Sequence, residues 1–152
     1  MRMAAAIVYL HFISASLVAA FLVTEFFLCT RDLRPAQVKT LARIDLYYLI
    51  AAVAVLVTGA LRVFVAGKGA GFYLNNPVFY IKLALFLAVG LVSILPTLQF
   101  MRWNRALASI QKPAPREREI GSARRYIALE LLLLTFIPLM AVLMARGIGS
   151  QH

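Results

Sequence analysis

The sequence predicts an all-α fold, an integral membrane four-helix bundle whose N- and C-termini both lie outside. Three observations predict it. Hydrophobic residues make up 62% of the chain and mean hydropathy is +0.85, whereas a soluble domain has about 45–50% apolar residues. Four apolar runs occur, at about 3–29, 46–66, 77–101 and 126–146, each close to the roughly 20 residues that carry a helix across a bilayer. Most of the charges fall between those runs, which is where hydrocarbon tolerates them. At 152 residues the chain is expected to form one transmembrane domain over 1–152.

The first run, Met3 to Cys29, is longer than the ~7–15-residue apolar core of a signal peptide. No small-residue cleavage site clearly follows it, so it is expected to be retained. His11, Ser14, Val18 and Glu25 sit at offsets of three, seven and fourteen, which places them on one helical face. Thr30-Arg31-Asp32-Leu33-Arg34-Pro35 ends this helix. In the second run, Ala51, Ala52, Ala54, Gly59 and Ala60 permit close helix contact and make a homo-oligomer plausible. Gly67-Lys68-Gly69-Ala70-Gly71 breaks it, and a short aromatic stretch, Phe72-Tyr73, follows. Asn75-Asn76-Pro77 supplies a cap and then a proline at the first helical position, a start signal for the third helix. Residues 102–125 are expected to form a cytoplasmic basic loop with a short surface helix, built on Lys112-Pro113-Ala114-Pro115 and Arg116-Glu117-Arg118-Glu119. Pro96 and Pro138 lie inside the third and fourth runs, where each removes a backbone hydrogen bond and is expected to kink its helix.

The formal charge is +10, from 16 basic and 6 acidic residues. In a soluble protein that balance would suggest nucleic acid. Here the basic residues lie between apolar runs, where they set topology and meet anionic lipid headgroups, so no nucleic-acid partner is expected. The links after the first and third runs carry eleven basic residues: Arg31, Arg34, Lys39, Arg43, Arg102, Arg105, Lys112, Arg116, Arg118, Arg124 and Arg125. The opposite side carries four, Arg2, Arg62, Lys68 and Arg146. Both long links are therefore expected in the cytoplasm and both termini outside. Trp103, Tyr47, Tyr48 and Tyr126 would line the cytoplasmic boundary as an aromatic belt, with Tyr73 and Tyr80 at the outer one.

Threading the helices this way sorts the intramembrane polar residues into two layers. His11, Lys82 and Arg62 share the outer half, and Glu25, Asp45 and Glu130 share the cytoplasmic half. Ionisable residues at membrane depth are costly and often functional. Each also has a plain structural use. Arg62 and Lys82 can snorkel to the headgroups, Asp45 can cap or pair at the start of the second helix beside Arg43, and Glu130 can pair with Arg124 or Arg125. Glu25 can pair with a loop arginine, and His11 can be a satisfied core histidine.

An outer site built on His11 and Lys82 would be basic and lined by Tyr9, Phe12, Phe79, Tyr80 and Phe86. Neutral imidazole is the usual axial ligand of a b-type haem, and cations suit its propionates. With His152 at the end of the chain, bis-histidine ligation within the membrane is not available, and Lys82 would ligate only when deprotonated. Met140 and Met144, one turn apart, are soft-metal ligands in principle and packing residues by default. The single cysteine, Cys29, excludes an intrachain disulfide and a cysteine metal cluster. No G-x-S-x-G, phosphate loop or H-E-x-x-H is present, so hydrolase chemistry has no support.

The segment Gly71-Phe72-Tyr73-Leu74-Asn75-Asn76-Pro77-Val78-Phe79-Tyr80-Ile81-Lys82-Leu83, with Val89-Gly90-Leu91-Val92-Ser93-Ile94-Leu95-Pro96-Thr97, resembles a family of small bacterial membrane proteins of unknown function. The likeness covers nearly the whole chain and implies a multi-pass protein of the bacterial cytoplasmic (inner) membrane. More distantly, a histidine in the first helix and a lysine opening the third, in Ile81-Lys82-Leu83, are similar to HemJ-type protoporphyrinogen oxidases and to the CopD-like copper-resistance domain. The HemJ likeness implies haem b, with His11 as ligand to the haem iron and Lys82 as its partner. Two features depart from it: Pro96-Thr97 stands where a further histidine is usual, and Leu17 to Phe21 lacks the usual tryptophan and glycine.

Two readings follow, since a shared fold does not fix a reaction. One is a tetrapyrrole-binding redox protein with cofactor-binding residues His11, Lys82 and Arg62. Its candidate catalytic groups are Lys82, Glu25 and Glu130, with a glutamate relaying protons to the cytoplasm. The other is a non-enzymatic transport or assembly component, with CopD-like copper handling as a further variant.

Overall fold

A backbone in hydrocarbon has no water to bond, so a spanning segment must satisfy its own N–H and C=O groups as a helix. The computed structural model, which describes residues 2–66, 69–107 and 115–147, contains four helices long and apolar enough to span. They are α1 (Arg2–Leu28), α2 (Pro35–Leu61, extended by a π-helical turn, Arg62–Ala66), α4 (Pro77–Leu107) and α5 (Glu117–Ala145), with a short α3 (Ala70–Leu74) between α2 and α4. Among the described residues there is no strand. The expected features at Gly67-Lys68, Lys112-Pro113-Ala114 and His152 lie outside the described residues.

Three helices are longer than their apolar runs. α2 begins at Pro35 rather than 46, because Arg34 is extended and Pro35 fits the first helical position without a donor. The early turns of α2 bury Val38 and Leu41 and expose Lys39 and Arg43, so the charges end the apolar run without ending the helix. α4 continues to Leu107, and α5 starts at Glu117, with Glu117 and Glu119 in its first turn, where acids suit the positive end of the helix dipole. The expected loop at 102–125 is thus mostly helical at both ends. The cap at Asn76 is as expected, its Oδ1 accepting the Val78 N–H at 2.9 Å. Pro96 and Pro138 are contained within continuous helices.

The four long helices form a square. α1 packs on α2, α4 on α5, α2 on α4, and α1 on α5, while the two diagonal pairs do not meet through their backbones. The face foreseen on α1 is the buried one, comprising Ile7, His11, Ser14, Val18, Leu22 and Glu25. The tightest apolar core lies toward the α1–α2 and α4–α5 turns, around Leu22, Leu41, Phe100, Ala123 and Ile127. Two expected belt residues belong to this interior instead. Tyr48 and Trp103 are each 4% exposed, and Trp103 Nε1 donates to Glu119 Oε2 at 3.2 Å.

Candidate functional site

The square leaves a central axis that side chains must fill, and in the better-packed half polar ones fill it. Glu25 of α1 is 1% exposed, Asp45 of α2 6% and Glu130 of α5 0%. Asp45 and Glu130 are the charged groups that act on Glu25, and both are acids. Asp45 also acts on Glu130. The acids read from the sequence as one layer are therefore within electrostatic reach of one another.

Two hydroxyl groups serve these acids, one from α4 and one from α2. Thr97 Oγ1 of α4 donates to Asp45 Oδ1 at 2.8 Å. Tyr48 of α2 donates its hydroxyl to Glu130 Oε2 at 3.2 Å, crossing the diagonal that the backbones leave open. The other oxygen of Glu130, Oε1, and Oε1 of Glu25 are buried with no hydrogen-bond partner. A buried polar atom left unpaired costs about 1–3 kcal/mol, and these two acids each carry one, as does Gln99 of α4 through its Oε1.

These contacts correct three structural assignments. Asp45 is neither a cap nor a partner of Arg43; α2 starts ten residues before it, so it sits inside the helix and bonds Thr97. Glu130 pairs with Tyr48, while Arg124 donates to the Cys29 carbonyl at 3.2 Å instead. Glu25 faces other acids, not a loop arginine. Tyr48 and Thr97 were not foreseen as members. The spacing of Asp45 and Tyr48, three apart on one helix face, was the available signal for the first; nothing local marks the second.

The outer layer also converges. Lys82 and Arg62 both act electrostatically on His11, from α4 and from the π-helical turn after α2. Of the expected aromatic lining, Tyr9, Phe12 and Tyr80 are largely exposed while Phe79 and Phe86 are half-buried, and Arg62 lies 5.5 Å from the Phe12 ring centre. His11 Nδ1 is 3.0 Å from Thr58 Oγ1, and the single Thr58 hydroxyl hydrogen goes to the Ala54 carbonyl at 2.6 Å.

An imidazole can ligate a metal, and this one is held against α2. The ring edge lies against α2, with Cε1 3.4 Å from where a Cβ on Gly59 would stand, and His11 is 9% exposed. Among the described residues, no three His, Cys, Asp or Glu side chains are placed to share a metal ion.

Comparison with known families places the chain. It matches the family of predicted membrane proteins DUF2214 over residues 3–149. The chain belongs to the DUF2214 family. The family description agrees with four candidate spans and carries no activity. No curated protein and no solved structure matches the chain. The likeness to HemJ-type oxidases and the CopD-like domain therefore rests only on the residues quoted for it, His11 and Lys82.

Proposed function

We infer that this DUF2214 protein is a non-enzymatic transport component that takes up and releases protons through Glu25, Asp45 and Glu130. The observation that carries this is the convergence of three buried carboxyl groups, from three helices, on one axis with two unpartnered oxygens. Ionising all three together in a low-dielectric interior is opposed by desolvation and mutual repulsion. Such a set shares protons and titrates as a unit. Intramembrane acids of this kind mark proton or ion pathways. The absence of a three-ligand metal arrangement among the described residues favours protons over a divalent cation. Tyr48 and Thr97, each donating to one acid, are the hydroxyls through which a proton would pass between helices.

Proteoliposomes loaded with a pH dye test the reading. After an imposed pH step, vesicles with wild-type protein are expected to equilibrate faster than empty ones. Glu130→Gln and Glu25→Gln are each expected to remove most of that excess rate, at least about tenfold. Equal rates for empty and loaded vesicles, under every ion and solute gradient tried, would overturn it.

A second reading keeps a b-type haem on His11, favoured by Lys82 and Arg62, which act on the imidazole and would serve as propionate partners. When bound, haem would supply one-electron redox chemistry. The enclosure of the ring against Gly59 makes it the weaker reading. An absorption spectrum of detergent-purified protein decides between them. The proton-handling reading expects no His11-dependent Soret band after haem addition, and a band lost in His11→Ala would restore the haem.

A further inference from the structure

The fold leaves a cleft between α1 and α5 at the end of the bundle opposite the termini, with a volume of about 510 Å³. Arg31, Arg124 and Arg125 line it, Phe26 and Ala128 form its apolar side, Gly121 is on its floor, and among the described residues no acid lines it. We propose that this cleft is a binding site for the phosphate of an anionic phospholipid.

Position and charge support that occupant. Phe26 and Ala128 belong to the apolar stretches of α1 and α5, whereas the arginines stand where those stretches give way to charge. A ligand spanning both needs an acyl portion beside Phe26 and an anion beside the guanidinium groups, which describes a phospholipid at the interface. Arg124 is already fixed for the task. Its guanidinium lies 4.2 Å over the Phe26 ring centre, and one N–H is committed to the Cys29 carbonyl at 3.2 Å. That bond covers a carbonyl at the negative end of the α1 dipole, which would otherwise repel a phosphate. A guanidinium has five donors, so four remain for the cleft. Arg31 and Arg125 are exposed and able to close on a phosphate from either side, the bidentate geometry that arginine favours. Gly121 supplies room, since a Cβ added there meets nothing within 4 Å. The charge distribution expected of the links puts this end at the cytoplasmic leaflet, where anionic lipids attract basic clusters.

The test is native mass spectrometry of protein released from mixed phosphatidylglycerol and phosphatidylcholine vesicles. Wild type is expected to retain one phosphatidylglycerol per chain in preference to phosphatidylcholine. The exposed pair R31Q/R125Q should lower that retention by at least about tenfold, and G121L should lower it too without changing charge. The control pair R102Q/R105Q, basic residues on α4 away from the cleft, should leave it unchanged. Equal loss in both arginine pairs would mean diffuse charge and overturn the site. Displacement of the lipid by millimolar inorganic phosphate would make it a soluble-anion site, and retention of phosphatidylcholine to the same extent would remove the phosphate selectivity; either result overturns the lipid assignment.

Discussion

Cys29 follows directly after the first span, with its thiol and its carbonyl both engaged. Its Sγ lies 3.9 Å from the Ile120 carbonyl, and its own carbonyl accepts from Arg124. Burial pushes the thiol up to about 11 from 9.0, and Arg124 offsets only part of that. The thiolate is the reactive form, so folded protein should react with a maleimide at pH 8 at least tenfold more slowly than denatured protein. The sign of the linkage also follows. The folded value lies above the unfolded one, so the contribution is complete below about pH 9 and is lost as pH rises through about 11. Thermal melts from pH 8 to pH 11 should show a falling midpoint, and that fall should be smaller in Cys29→Ser. Equal alkylation rates in folded and denatured protein would contradict the burial. At this scale the sequence was a partial guide. It marked Glu25, Glu130 and His11 by their depth in apolar runs, but it offered local partners for each, and the partners found are on other helices.

Among the elements, the α1–α2 pair is the most sharply specified. His11 reaches Thr58 and rests against Gly59, so a small residue at 59 is what lets the two helices approach. Gly59→Ala places a Cβ at ordinary contact with Cε1 and gains about 0.8–1 kcal/mol of helix propensity, so the melting temperature should hold or rise. Gly59→Leu drives a branched side chain into the imidazole and should lower the melting temperature by several degrees. A harmless Gly59→Leu would mean that the pair is not closely packed there. Spans were legible because hydropathy and length decide them, and the small residues of the second run signalled close packing. Helix starts were less so. Charges such as Arg43 and Arg125 stand just before the apolar runs at 46 and 126, yet lysine and arginine are good helix formers on a face that meets water, and Pro35 and Arg116 set the true beginnings. Tyr48 and Trp103 are aromatics expected at the interface, whereas an acid claims each as a donor, the buried Glu130 for the hydroxyl and the half-buried Glu119 for the indole.

For the whole molecule, the polar groups divide along the bundle axis. Acids with two hydroxyl donors occupy the better-packed half, and His11 with two flanking cations occupies the other. The division into layers was readable by counting residues from each helix start; that the members of each layer meet was not, because it depends on which helices share a diagonal. The buried residues of α5 end at Glu130, so the acid cluster sits where tight packing gives way to a looser half, a placement that suits groups exchanging protons with one side. The most direct measurement is infrared spectroscopy of the membrane-reconstituted protein across a pH titration, reading the carboxylic-acid C=O stretch. Protons shared among Glu25, Asp45 and Glu130 predict a protonated-carboxyl band that persists at neutral pH, titrates reversibly, and loses intensity in Glu25→Gln and Glu130→Gln. A spectrum with no such band at neutral pH, or one identical in the two variants, would contradict the proton-holding cluster.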